Sequence, residues 1–451
     1  MEIMISIVIF LYIVPSKMYS RRLGYKGVIM HPEVEQRMAD DFADHLKETK
    51  EFHKDVYETY RILHNHTDKF KLKRLKPSKV VGEKRKITLK NNRKKELHLQ
   101  TLSRKQPLLF QIDDFLFSDE CEYLKELAMN SGLEKSEILE DELGAVSNYG
   151  IIGEIGFEEC DLDKDKKCNT SELGLLFQKE YDARLNQLVI FEIMKKTLWD
   201  FNLDGFISPW EWNLKNLTTL VHILQNQKQS NPMIRSRFSH QTWLQQTSSK
   251  DKILKSIQDR LYQVTRLPKA IIQNNEDLQV VKYTPGGHYD CHMDTGAGFG
   301  KNSYLPCCHL KMDGECNVCR FMTVLYYLSD VEQGGETAFP IAGQKNITRN
   351  DLNSKPFEHY CSLSAHCHKS KLKVQPKKGR AIIWYNHYID PRTDWLGAMD
   401  RSSMHGGCAV HKGVKWIANN WIDAAHLKKH DMLSWAIQEK ERKIQRDQKE
   451  T

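Results

Sequence analysis

The 451-residue chain has no apolar run long enough for a helix to cross a bilayer, which takes roughly 20 residues. Ile3 to Val14, broken only by Ser6, spans twelve residues, is halted by Pro15 and is followed by Lys17, Arg21 and Arg22. A basic n-region is also lacking, since Glu2 stands in its place, and no clean small-residue cleavage site follows. Residues 1–20 are therefore expected to act as a short signal anchor, with a cleaved signal peptide as the alternative and a buried strand least favoured. The basic flank would by itself keep the body cytosolic. Acids are scarce between Lys69 and Lys95, where Glu83 is the sole carboxylate. That segment carries much of the net charge of +8, and without it the chain is near neutral. Aromatic side chains are not interleaved through the basic run, which argues against nucleic acid as a partner. Residues 21–104, with a helical patch around Val34 to Leu63, are expected to form a polar, basic stalk; a membrane-surface contact is the sharper alternative. No Lys-Asp-Glu-Leu type ending is present.

Cysteine is plentiful. There are eleven, seven of them between Cys291 and Cys367, including Cys307-Cys308 and Cys316-x-x-Cys319. Together with sequons at Asn65, Asn169, Asn216 and Asn346 they favour a secretory route, against the cytosolic hint of the basic flank. An odd count leaves at least one thiol unpaired. The cluster with His309 also permits a zinc site, with disulfides the preferred reading. An apolar fraction of 40% and a charged fraction of 28% are ordinary for a globular body of two to three domains.

Pro107 to Leu116 reads as a strand opening the folded body, and Ser118 as the N-cap of an amphipathic helix with acids in its first turn. Two twelve-residue acidic loops follow. Asp200, Asn202, Asp204 and Glu211 occupy the oxygen positions of an EF-hand, with Phe206 at the carbonyl position, Gly205 at the sharp turn and Ile207 placed to pair with a sister loop. The sister loop offers Asp161, Asp163, Asp165, Lys167 and Glu172, but puts Lys166 where glycine belongs. A left-handed non-glycine residue costs about 1–2 kcal/mol, so this calcium site is expected to be the weaker. Asn169 lies inside this loop and is expected to stay unglycosylated, leaving Asn65, Asn216 and Asn346 as candidates. Leu254, Ile257, Leu261 and Val264 mark a helix. Strands are expected at Leu278–Tyr283, Phe321–Leu328, Gly379–Tyr385 and Lys415–Ile422.

His292-x-Asp294 places an imidazole and a carboxylate on one side of an extended strand. His405 is the best later candidate for a third ligand, giving the two-His, one-carboxylate triad of a non-haem iron oxygenase. Lys415 on a neighbouring strand is placed to hold a carboxylate cosubstrate. His411, six residues after His405, competes weakly as a ligand, and His387, His309, His366 and His368 are also near the core in sequence.

The runs Tyr283 to Asp294, Thr323 to Pro340 (with Gly334-Gly335-Glu336-Thr337) and His405 to Trp421 resemble the prolyl 4-hydroxylases. The EF-hand pair after the first helix resembles the transmembrane, endoplasmic-reticulum branch of that family. The resemblance covers roughly 107–423. It implies an α+β fold: a double-stranded β-helix (jelly-roll) dioxygenase core with flanking helices and an inserted α-helical EF-hand pair. It implies Fe(2+) at His292, Asp294 and His405, and 2-oxoglutarate held by Lys415 with Tyr289 and Thr337. L-ascorbate and Ca(2+) are the other cofactors, and O2 and a proline-containing protein are the substrates. The hypoxia-inducible factor α subunit or another protein is favoured over collagen. The implied location is the endoplasmic reticulum membrane, with a lumenal catalytic domain and possible homodimers. The expected divisions are 1–20 anchor, 21–104 stalk, 105–145 start of the catalytic domain, 146–228 EF-hand pair, 229–425 oxygenase core and 426–451 charged tail. The alternatives are a calcium-responsive scaffold with an inactive core, or a hydroxylase of another side chain such as lysine.

Overall fold

In the computed structural model, the described residues are 71–425 except 91–92, 94, 137–154, 215, 247–250, 274, 296–306, 309–316 and 345–360, together with Lys428 and Asp431. The expected anchor, the Val34–Leu63 patch, Asn65, Asn346 and nearly all of the 426–451 tail lie outside them. Among the described residues no helix is long and apolar enough to cross a membrane.

Fourteen strands make two sheets: β1 (Lys84–Thr88), β2 (Glu96–Arg104), β3 (Leu108–Ile112), β4 (Glu134–Lys135), β5 (Arg237–Phe238), β6 (His240–Leu244), β7 (Leu278–Tyr283), β8 (His288–His292), β9 (Arg320–Tyr327), β10 (Thr337–Phe339), β11 (Leu372–Val374), β12 (Ala381–Tyr385), β13 (His405–Gly407) and β14 (Lys415–Asp423). The nine-stranded sheet runs β1-β2-β3-β12-β9-β14-β7-β6-β4 and the five-stranded sheet β11-β10-β13-β8-β5. Every pairing within them is antiparallel. β9, β12 and β14 lie mid-sheet and are buried almost throughout, so they read as continuous apolar runs rather than alternating ones. Among the helices are α1 (Ser118–Asn130), α2 (Thr170–Tyr181), α3 (Gln187–Lys196), α4 (Leu217–Ser230), α5 (Lys252–Thr265) and α6 (Leu363–His366). Leu124 of α1 and Leu254, Ile257, Leu261 and Val264 of α5 pack with one face of the large sheet. Its other face shares a core with the small sheet through Val281, Leu325, Trp384, Phe339 and Val374.

Two expectations are corrected. The folded body does not begin at 105: β1 and β2 belong to the large sheet, and Leu72, Leu75, Leu97 and Leu99 lie in its core. The basic residues that suggested a stalk are the exposed side of this edge, where Lys84, Arg85 and Lys86 discourage further strand pairing. Ser118 is also not the N-cap. Phe117 takes that position, and the Glu120 carboxylate accepts from its backbone N–H at 2.9 Å.

Residues 155–224 have a core of their own, formed by Leu173, Phe177, Ile193, Trp199, Trp212 and Leu220 among others. Among the described residues there are four disulfides: Cys160–Cys168, Cys291–Cys361, Cys307–Cys319 and Cys367–Cys408. Cys121 is a free, buried thiol. The Cys307–Cys319 bridge removes two thiolates from the alternative zinc site.

Arg260 is fully buried and donates to Glu120 twice at 2.8 Å and to the Phe115 carbonyl at 2.6 Å, fastening α5 to α1. Removing one member of a buried pair strands the other charge. Arg260→Leu is expected to cost about 3–5 kcal/mol, measured as a fall in the urea midpoint with the disulfides intact.

Candidate active site and metal centres

β8 and β13 run antiparallel, and His292 and His405 are direct Cα partners. Opposed residues on neighbouring strands sit about 5 Å apart, so register alone joins two imidazoles far apart in sequence. Their ring centroids are 4.5 Å apart. Asp294 lies just beyond β8, its carboxylate 3.6 Å from His292 Nε2 and 3.5 Å from His405 Nε2. One ligand atom from each of the three falls within a 4.8 Å cluster.

Both Nδ1 atoms are already engaged: His292 donates to the Asp290 carbonyl and His405 to the Ser403 carbonyl, each at 2.9 Å. This selects the tautomer whose Nε2 lone pair faces the carboxylate. Burial pushes the His405 imidazole down to about 4, so it is neutral at ordinary pH, as a metal ligand must be. Burial alone would raise Asp294, but His405, His292 and Arg320 hold its carboxyl well below the usual range. Thr323 Oγ1 donates to Asp294 Oδ2 at 2.7 Å, Asn386 Nδ2 to Thr323 Oγ1 at 2.9 Å, and Trp384 Nε1 to Asn386 Oδ1 at 3.0 Å. Two imidazole nitrogens and one carboxylate oxygen, each oriented from behind, form a donor set that fits Fe(II).

The expected cosubstrate residues meet beside this triad. Tyr289 and Thr337 both pair with Gly407, from opposite sides of β13. A Cβ on Gly407 would lie 3.5 Å from Lys415 Nζ, so the lysine reaches across to the same place. Lys415 is 1% exposed, and among the described residues no carboxylate lies within 4.0 Å of its Nζ. Burial pushes its ammonium down to about 7. A buried cation with no described carboxylate at ion-pair distance suits a ligand that brings its own. Thr337 Oγ1 accepts from Tyr327 at 2.7 Å, leaving its own hydrogen to donate. The Tyr289 ring stacks on His292 with centroids 3.7 Å apart and carries Arg237 over its face. Trp384, 4.5 Å from His405, and Phe339, at 5.7 Å, wall the site.

The competing histidines fall away. His411 does not share a strand with His405; it lies after a chain turn and is exposed. His387 is buried but bonded to Thr295 and the Gly397 carbonyl. His366 ends α6 and His368 lies just beyond it, their rings edge to face with centroids 6.1 Å apart. Cys308, Cys316 and His309 have no described side chains. Thr323, Asn386, Ser403 and Asp290 were not foreseen as site residues. Thr323 and Asp290 lie in runs that carried the resemblance, but Thr323 acts through a tertiary bond and Asp290 through a backbone carbonyl.

The two acidic loops have matching backbone networks. In the second, Asp200 accepts from Asp204 N at 3.1 Å and Gly205 N at 3.0 Å, and Asn202 from Asp204 N at 2.9 Å. Asp204 accepts from Phe206 N at 2.9 Å, and Glu211 reaches back to Phe201 N at 3.1 Å. The first repeats this with Asp161 accepting from Asp165 N and Lys166 N, Asp165 from Lys167 N, and Glu172 from Leu162 N. Carboxylates of Asp161, Asp163 and Asp165 lie within a 4.8 Å cluster. Cys168-Asn169 pairs with Phe206-Ile207 as a short ribbon. Lys166 carries φ 66° where Gly205 has φ 86°. Cys160–Cys168 ties the start of the first loop to its eighth position. Asn216 is exposed and caps α4, accepting from Thr219 N at 3.0 Å.

Residues 278–423 match the model of the 2OG-Fe(II) oxygenase superfamily. Among solved structures, a viral collagen prolyl hydroxylase from Paramecium Bursaria Chlorella virus-1 is 26% identical over 45% of this chain and 88% of its own, with a TM-score of 0.27. The transmembrane prolyl 4-hydroxylases of Homo sapiens and Mus musculus are 35% and 34% identical to this chain over 351 residues, covering 76% of it and 68% of each relative. With that extent of likeness behind the triad, the chain belongs to the prolyl 4-hydroxylases, a family of 2-oxoglutarate- and Fe(II)-dependent oxygenases.

Proposed function

We propose that the chain hydroxylates proline at C4 in a protein substrate, using O2 and 2-oxoglutarate and releasing succinate and CO2. The observation that carries this reading is the convergence of His292, Asp294 and His405 beside a buried lysine with no carboxylate partner among the described residues. Iron, when bound by the two Nε2 atoms and the Asp294 carboxylate, supplies the oxidising power that an unactivated C–H bond demands. The protein does the positioning. Lys415 pairs with the far carboxylate of 2-oxoglutarate and Thr337 donates to it, while Trp384 and Phe339 keep water from the reacting centre. L-Ascorbate is the expected reductant for the iron.

The two sheets are best understood as a double-stranded β-helix, and the unit over 155–224 as an EF-hand pair binding Ca(2+) chiefly at the second loop. Four disulfides favour an oxidising compartment, here the lumen of the endoplasmic reticulum. The hypoxia-inducible factor α subunit is the first substrate to try, ahead of collagen peptides.

The purified protein with Fe(II), ascorbate and a proline peptide should release succinate and yield hydroxyproline by mass spectrometry, and His405→Ala should abolish both. No 2-oxoglutarate-dependent succinate release from any substrate would favour a scaffold instead. Lys415 binds a carboxylate only when protonated, and burial has lowered its pKa to about 7. Rising pH therefore weakens cosubstrate binding: KM for 2-oxoglutarate is expected to increase about five-fold between pH 7 and pH 8. Lys415→Arg, which stays charged, should flatten that profile. For calcium, Glu211→Gln is expected to weaken the tighter site by about 10-fold or more in calorimetry, by removing charge from the ligand set. Glu172→Gln should spare it.

A further inference from the structure

Asp290, two residues before the ligand His292, is 3% exposed and bonded on every side. Its backbone carbonyl accepts from His292 Nδ1 at 2.9 Å, the bond that orients the imidazole. One carboxylate oxygen accepts from Leu363 N of α6 at 2.7 Å; the other pairs with the Arg184 guanidinium, which also donates to Ser362 Oγ at 3.3 Å. Arg184 does not belong to the oxygenase core. It lies between α2, which leaves the first acidic loop, and α3, which leads into the second.

The connection is anchored at several points. Asp182 closes α2 in a left-handed conformation, φ 48°, and its carboxylate accepts from Ser236 N at 2.7 Å. Arg184 N donates to the Ile234 carbonyl at 2.9 Å, and Asp290 N to the Ser236 carbonyl at 2.7 Å. The linker between the loops and the strand bearing His292 thus bond to the same short stretch, Ile234 to Ser236, and meet at Ser236. Helices α2 and α3 are packed into one core, so a change in either loop displaces the linker as well. Without Arg184, a buried carboxylate would remain beside the iron ligand with one of its charge partners gone. Among the described residues His405 shows no such link: Ser403, whose carbonyl orients it, donates its own hydroxyl to the Asp400 carbonyl within the oxygenase core.

We propose that Arg184 is a positioning residue for the iron ligand His292, acting through Asp290, and that this pair makes iron affinity respond to ions bound in the acidic loops. The second half rests on the calcium reading above. Anaerobic Fe(II) titration with 2-oxoglutarate present, followed by the charge-transfer absorption of the chelate, reports the triad alone, because metal in the acidic loops cannot form that chelate. Arg184→Ala and Asp290→Asn are each expected to weaken Fe(II) binding about 10-fold, with KM for 2-oxoglutarate unchanged at saturating iron. Arg184→Lys should recover part of the loss. Calcium should shift the Fe(II) affinity of the unaltered protein by about five-fold or more, and the shift should vanish in Arg184→Ala. Unchanged Fe(II) affinity in both Arg184→Ala and Asp290→Asn overturns the positioning role. A calcium shift that persists in Arg184→Ala, or is absent from the unaltered protein although calorimetry shows calcium bound, overturns the relay alone. Calorimetry showing no calcium bound overturns the calcium reading and the relay with it, and leaves the positioning arm to stand on the Fe(II) titration.

Discussion

The site depends on one backbone register, His292 opposite His405 across β8 and β13. A slip of one residue in either strand would turn its imidazole to the other face, away from the partner imidazole. Gly406 permits the close approach: a Cβ there would stand 2.5 Å from the Tyr289 carbonyl and 2.7 Å from the Asp290 carbonyl. No other side chain fits between these strands without pushing the ligands apart. Two disulfides then fasten both strands to the same short segment, Cys291 to Cys361 and Cys408 to Cys367, with α6 between the anchor points. The ligands can therefore be far apart in sequence because their strands are joined covalently through a third element.

Around that register the protein treats its buried charges in two ways. Glu120 and Arg260 satisfy one another inside the fold, so their burial helps join α1 to α5. Lys415 is buried as deeply, and its unfavourable desolvation, offset in part by the Glu336 charge, is offset further when a ligand carboxylate arrives. The triad follows the same logic. Asp294 is ionised with two imidazoles turned toward it, an arrangement that a divalent cation completes. What looks incomplete in the isolated chain is complementary to what binds there.

The parts of this arrangement that were legible in the sequence are those whose chemistry is local. His292-x-Asp294, His405 and Lys415 carry their roles in residue type and spacing, and β7, β9, β12 and β14 announce themselves as apolar runs bounded by turns. The second acidic loop could be picked out because its oxygens follow a fixed twelve-residue pattern, and its backbone hydrogen bonds follow the same spacing. The residues that orient the ligands were not, since Ser403 and Asp290 act through backbone carbonyls that any side chain would offer, and Asn386 acts through Thr323. The basic segment misled for a related reason. Its lysines outnumber the buried Leu97 and Leu99, although it is the latter that place β2 in the sheet.

The position of the acidic-loop unit in the chain explains how it reaches the iron strand. Beyond α4 the backbone turns through 232–236 and becomes β5, whose Arg237 and Phe238 pair with Tyr289 and His288 of β8. The unit thus leads straight into the strand next to the one that carries His292. Arg237 continues the contact by lying over the Tyr289 ring, which itself stacks on His292. An insertion elsewhere in the sheet would meet the ligands only through intervening strands. Here, one hydrogen-bonded ladder and one partly buried ion pair separate the loops from a metal ligand, which is why the proposed coupling is expected at His292 rather than at His405.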